Sequence, residues 1–213
     1  MKSAIKKIDR ALKKIYQIEF SYVAENFLIQ QPVKDAVLEA ASSSLQGALY
    51  IKPQDGDLTI GIYLNPEVRG HLSGFKKWQK KTWTAEQFNS FATAAEEISH
   101  FRFLLFHAEY GRAVSQFELE LQGEIDKFVL SYFANQSKDF QSVYDQLFMH
   151  FKWAENLTNE QKNRYRDAHY FAKRFIKKLQ PHLLNPEKRE KGFSLLRSFY
   201  RQSASDRITF LNA

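Results

Sequence analysis

The sequence predicts a mainly helical α+β domain carrying one small sheet, and three observations support that reading. Apolar residues recur three and four apart through most of the chain, whereas a clear period of two occurs only where Leu58, Ile60, Ile62 and Leu64 alternate with Thr59, Gly61 and Tyr63. Three reciprocal capping signals, Thr84 with Gln87, Ser115 with Glu118 and Thr158 with Gln161, mark helix starts. The 213 residues include 19 Phe and 10 Tyr but only 8 Gly and 5 Pro, so many rings must be buried and few residues break regular structure. A single domain over residues 1–213 is expected.

Ile5, Ile8, Leu12 and Ile15 recur at helical spacing with Lys6, Lys7, Arg10, Lys13 and Lys14 between them, which predicts a basic amphipathic helix over residues 1–30, ending by Pro32. A shorter helix is expected from Val33 to Ala41, followed by a small-residue joint. A β-hairpin follows in residues 47–64, its pairing spanning about 48–64, with turn chemistry at Gln54-Asp55-Gly56-Asp57. Two strands alone are marginal in water, so a third is sought, and the RITFL stretch from Arg207 to Leu211 is the candidate. Asn65-Pro66 reads as a cap and first-turn proline of a short helix, and a basic connector with Lys76, Lys77 and Trp78 comes next. The helical core then occupies residues 84–201. Its helices are expected from Thr84 to Gly111, from Ser115 to about Asn135, from about Lys138 to Asn156 and from Asn159 to Gln180. A break at Pro181 to Pro186 precedes a last helix marked by Phe193, Leu196, Phe199 and Tyr200. The total is about six to seven helices.

Without cysteine, disulfides, thiolate zinc sites and cysteine nucleophiles are all excluded. The first residues lack the continuous apolar stretch of a signal peptide, and no run of about eighteen apolar residues occurs. A cytoplasmic protein without a membrane span is therefore expected. Trp78, Trp83 and Trp153 are core or interface residues that one sequence does not sort.

Chemistry concentrates in the stretch EEISHFRFLLFHAE. At about 100° per residue, Glu97 falls in the same arc as Ala94, Phe101, Leu104 and Leu105, so a carboxylate faces the core, with His100 and His107 at the edge of that arc. On the next helix Glu120 and Glu124 stand four apart beside the stripe Phe117, Leu121 and Phe128, two like charges that need a compensating cation. Glu97-x-x-His100 has the form with which di-iron carboxylate bundles aim both side chains inward. A metal held by Glu97, His100 and Glu124, with Fe, Mn or Zn as the ion, is one reading of this polar cluster. His107, Glu109 and Glu118 are further groups that would have to complete its shell. A second reading pairs Glu97 with Arg102, Arg112 or Lys127 and makes the histidines hydrogen-bonded residues at the core edge. A third makes Glu97 a general acid or base with a pKa raised by desolvation, although no nucleophile, oxyanion turn or phosphate loop accompanies it. No catalytic residue is assigned.

Charge is unevenly distributed. Between Gln161 and Arg201 twelve Lys or Arg face three acids, a balance of +9 that exceeds the +7 of the whole chain, while residues 96–126 hold seven acids and two arginines. Lys173, Arg174, Lys177 and Lys178, joined by Lys76 and Lys77, would form a basic surface that engages an acidic protein, with nucleic acid as another partner class. The same lysines alternate with Phe171, Phe175 and Ile176 as the solvated face of any amphipathic helix would. Arg164-Tyr-Arg-Asp-Ala-His169 resembles the Arg-x4-His element of the HEPN ribonucleases, which implies metal-independent RNA cleavage. The departures are Tyr165, where that family usually has a polar residue, and the β-hairpin segment, which is foreign to its helical bundle.

The succession GIYLNPEV, EEISHF, ELELQGEIDKF, NRYRDAHYFAKRF and LLRSFYR resembles a family of uncharacterised bacterial proteins over residues 47–201. The resemblance implies a bacterial source and a single domain of constant length, and brings no activity with it. The expectation from sequence is a binding or regulatory protein with a basic surface, the alternatives being a metal-dependent enzyme or sensor with its site between helices 85–110 and 116–135, and a HEPN-like ribonuclease.

Overall fold

The computed structural model describes residues 1–32, 46–54, 57–75, 83–135, 138–149 and 157–212. The expected helix at 33–41, the turn at 55–56, Lys76, Lys77, Trp78 and Trp153 lie outside the described residues. Within them the chain forms eight α-helices and a three-stranded sheet, with α1 Lys2–Tyr16, β1 Leu28–Ile29, β2 Gly47–Gln54, β3 Asp57–Leu64 and α2 Pro66–Ser73 in the first part. The second part holds α3 Ala85–Glu109, α4 Gln116–Ala134, α5 Phe140–Phe148, α6 Asn159–Leu183, α7 Arg189–Arg201 and α8 Ala204–Asn212. The α+β architecture is the expected one, with slightly more helices than the sequence suggested.

Helices α3 and α4 form the central pair; α6 packs on α4, while α1, α2 and β2 pack on α3. All three capping boxes form, so each of these long helices starts at its threonine or serine with two otherwise orphan N–H groups satisfied. Helix α3 ends where Gly111 adopts φ 64°, a left-handed conformation that glycine takes without a Cβ penalty, and Arg112 N donates to His107 O at 2.9 Å. Phe88, Phe91, Phe101, Phe103 and Phe128 are fully buried, so the abundant rings form one continuous core. Trp83 belongs to it, edge-on to the Phe75 ring and tilted against that of Phe91.

Three expectations need correction. Helix α1 stops at Tyr16, because Gln17 turns left-handed and the chain leaves the helix axis to bring Tyr22 O and Ala24 N to the buried Arg102–Asp9 pair. The third strand is Leu28–Ile29, running parallel to β3 in the order β1-β3-β2, rather than RITFL. That stretch is helical because Arg207 and Leu211, four apart, are both fully buried on one face of α8. Helix α6 continues through Pro181 to Leu183, where the proline removes one hydrogen bond of the last turn while Leu179 and Leu183 stay buried together. The expected helix at 138–156 is described as α5, capped by Asp139, whose side chain accepts from Ser142 N at 2.7 Å; residues 150–156 lie outside the described residues.

Candidate metal centre

The polar residues of α3, α4 and α6 meet beside the first residue of β2. Glu96, Glu97 and His100 come from one face of α3; Glu120, Glu124 and Lys127 form a stripe of four-and-three spacing on α4; Arg164, Tyr165 and His169 come from α6. Glu96, Glu97, His100, Glu120, Arg164 and Tyr165 line a cleft of about 80 Å³. Glu96, His100 and Glu120 each present a ligand atom within 4.8 Å of the others.

His100 sits between two carboxylates without bonding to either. Its Nδ1 is 3.6 Å from Glu97 Oε2 and its Nε2 is 3.8 Å from Glu120 Oε2, both beyond hydrogen-bond reach. His100 Nε2 and Glu97 Oε2 are buried atoms with no hydrogen-bond partner among the described residues. Leaving such groups bare costs about 1–3 kcal/mol each, so a missing partner is the economical explanation. Two glycines make the crowding possible. A Cβ at Gly47 would stand 2.8 Å from Glu97 Cγ, and one at Gly123 would stand 2.5 Å from His100 Nε2.

A second set of contacts lies deeper in the cluster. Lys127 Nζ donates to Glu96 Oε2 at 3.1 Å and to Glu124 Oε1 at 2.7 Å, while Glu124 Oε2 faces His169 Nδ1 at 3.2 Å. The other ring nitrogen of His169 stands 3.3 Å from Phe148 O. Four carboxylates thus share Lys127 and Arg164 as fixed cations. Burial pushes the Glu120 carboxyl up to about 7 and that of Glu97 up as well. Burial alone would lower His100, but the carboxylates of Glu97, Glu120 and Glu96 outweigh it and hold the ring up at about 9. Glu124 goes the other way, because Lys127 and His169 overcome its burial and keep it well below the usual carboxylate range. Protons on His100 and Glu120 stand in for positive charge that the site lacks.

Of the residues expected from sequence, Glu97, His100 and Glu120 come together, while Glu124 is engaged by Lys127 and His169 one turn further along α4. His107 and Glu118 lie elsewhere, joined through Arg112, and Glu109 is exposed. Among the described residues no Arg or Lys pairs with Glu97: Arg102 binds Asp9, Arg112 binds Glu118 and Lys127 binds Glu96 and Glu124. Glu96 was missed. It stands four residues before His100, the helical spacing that brings two side chains to one face as surely as the three-residue spacing of Glu97. Lys127, seven residues after Glu120, was legible by the same rule.

The expected basic surface is partly engaged by the chain itself. Lys173 Nζ reaches Phe148 O and Met149 Sδ, Arg174 contacts Tyr170 and Asn212, and Lys178 lies 5.4 Å over the Phe210 ring, while Lys177 is exposed. The Arg164 and His169 of the HEPN-like element diverge, one into the cleft and the other towards Glu124. Among the described residues no helix is long and apolar enough to cross a membrane. No family model, curated protein or solved structure matches this chain.

Proposed function

We propose that this chain is a metal-dependent enzyme or sensor that holds a divalent transition metal, iron, manganese or zinc, on Glu96, His100 and Glu120. The observation that carries the reading is the buried Nε2 of His100, which has no hydrogen-bond partner among the described residues and shares its position with the carboxylates of Glu96 and Glu120. One imidazole and two carboxylates suit ions at the boundary between hard and soft. Three protein ligands leave coordination positions open, as sites that bind a substrate or small ligand at the metal do. Those positions would face the cleft, where Arg164 offers a cation to an anionic ligand and Tyr165 a partly buried phenol. Glu97, next to His100 Nδ1, would orient the ring as carboxylates do behind metal-bound histidines.

The reading of a basic face that holds an acidic partner has less support, since Lys173, Arg174 and Lys178 spend their charge on the chain's own carbonyls and rings.

Mass spectrometric metal analysis of protein purified without an affinity metal column tests the proposal. The expected result is a stoichiometric transition metal that disappears in H100A and E120A. A metal-free protein whose melting temperature does not rise on adding Fe, Mn or Zn would overturn it.

A further inference from the structure

The cluster contains a second cation position, and a side chain already fills it. Lys127 Nζ lies 3.1 Å from Glu96 Oε2 and 2.7 Å from Glu124 Oε1, with His169 Nδ1 3.2 Å from the other oxygen of Glu124. The groups that touch this ammonium are therefore two carboxylates, Glu96 and Glu124, with His169 on the far oxygen of Glu124. The groups around the neighbouring position are two carboxylates and one imidazole, Glu96, His100 and Glu120. Glu96 belongs to both sets. A carboxylate placed between two positive centres is the arrangement of two-metal sites, whose ions stand about 3.5–4 Å apart. Here one of the two centres is an ammonium group, tethered to α4 and 92% buried.

Resting on the metal reading above, we infer that the centre takes a single metal ion and that the Lys127 ammonium occupies the position a second ion would take. Two divalent ions would need more negative charge than Glu96, Glu97, Glu120 and Glu124 supply once Arg164 stands at the cleft. One divalent ion together with the charges of Lys127 and Arg164 balances those four carboxylates. Lys127 thereby limits the centre to chemistry at one metal and keeps Glu124 apart from it.

The test is a titration of the full chain with Mn(II), read as equivalents retained after gel filtration and by electron paramagnetic resonance. The wild type should retain one equivalent, with the spectrum of an isolated ion. K127A should retain two, and exchange coupling between them should diminish the isolated-ion signal. K127Q, which keeps hydrogen-bonding capacity towards the two carboxylates without the charge, should do the same and serves if K127A does not fold. One equivalent in both the wild type and a folded Lys127 variant would overturn the inference and leave the metal reading standing, as would two equivalents in the wild type. No retained metal in the wild type would overturn the metal reading itself, and this inference with it.

Discussion

Gly123 determines where His100 can stand: a Cβ at that position would lie 2.5 Å from His100 Nε2, closer than any non-bonded contact allows. In the interior of a helix, replacing glycine by alanine ordinarily stabilises by about 0.5–1 kcal/mol. Here the overpacking, at about 1–3 kcal/mol, should win. G123A is therefore expected to lower stability in urea denaturation and to release the metal, since the imidazole must swing away from Glu120. A more stable G123A that keeps its metal would show that His100 has other room.

Asp9 and Arg102 form a second buried ion pair, remote from the cleft, in which Arg102 Nη2 donates to Asp9 Oδ2 at 2.7 Å and also reaches Tyr22 O. Both residues are almost completely buried. Removing one partner strands a charge, so D9A or R102A alone should cost about 3–5 kcal/mol. The double variant D9L/R102M should cost less than either single change. A double-mutant cycle in which the two losses simply add would show that the pair is uncoupled.

His107 predicts an acid limb. Its Nε2 lies 3.0 Å from Tyr200 O and its Nδ1 2.8 Å from Arg112 Nη1, so the neutral ring donates to one and accepts from the other. Burial and the Arg112 guanidinium push this group down to about 4. A depressed folded pKa means that its stabilisation is present above 6.5 and lost as pH falls through 4, by about 3 kcal/mol in total. H107Q should flatten denaturation midpoints between pH 6.5 and 4; an unchanged slope would place the acid limb on other groups.

The carboxylate–histidine cluster predicts the opposite trend at higher pH. Glu120 and His100 both hold their protons above the ordinary values, at about 7 and about 9. A raised folded pKa contributes stability below the unfolded value and loses it as pH rises through the folded one. Glu120 should therefore weaken the metal-free protein as pH rises from about 4.5 to 7 and His100 as it rises from about 6.5 to 9, so that between pH 7 and 9, clear of the His107 effect, the decline is that of His100. Metal affinity, measured by competition with a chelator, should rise over the same window as protons leave the ligands. E120Q should lessen the metal-free decline and abolish binding. An affinity independent of pH from 7 to 9 would exclude His100 as a ligand.

Helix starts were legible because capping boxes are local chemistry: Thr84, Ser115 and Thr158 each carry their partner three residues on. The inward carboxylate at Glu97 was legible from the apolar arc around it. The third strand was not, because Leu28–Ile29 is two residues long and owes its place to the neighbour Ile62 rather than to any period of its own. The sharing of Glu96 between His100, Glu120 and Lys127 was hidden for a similar reason. It depends on how far α4 is shifted along α3, and sequence spacing on one helix says nothing of the register between two. The fate of RITFL turned on Arg207, a residue that reads as exposed but lies between the Phe103 and Phe199 rings with its Nη2 donating to Gln122 Oε1 at 2.6 Å.

The rings of Tyr16 and Tyr200 stack with centroids 3.9 Å apart, and Tyr16 also hydrogen-bonds to Asp126. During synthesis, α1 leaves the ribosome long before either partner exists. At about 5–20 residues per second, the wait for Tyr200 is on the order of ten seconds or more. Through that interval the apolar stripe of Ile5, Ile8, Leu12 and Ile15 has no surface from α7 to cover it. The six basic residues interspersed along that helix keep the nascent segment dissolved, so charge that contributes little to the finished fold protects the chain on its way there.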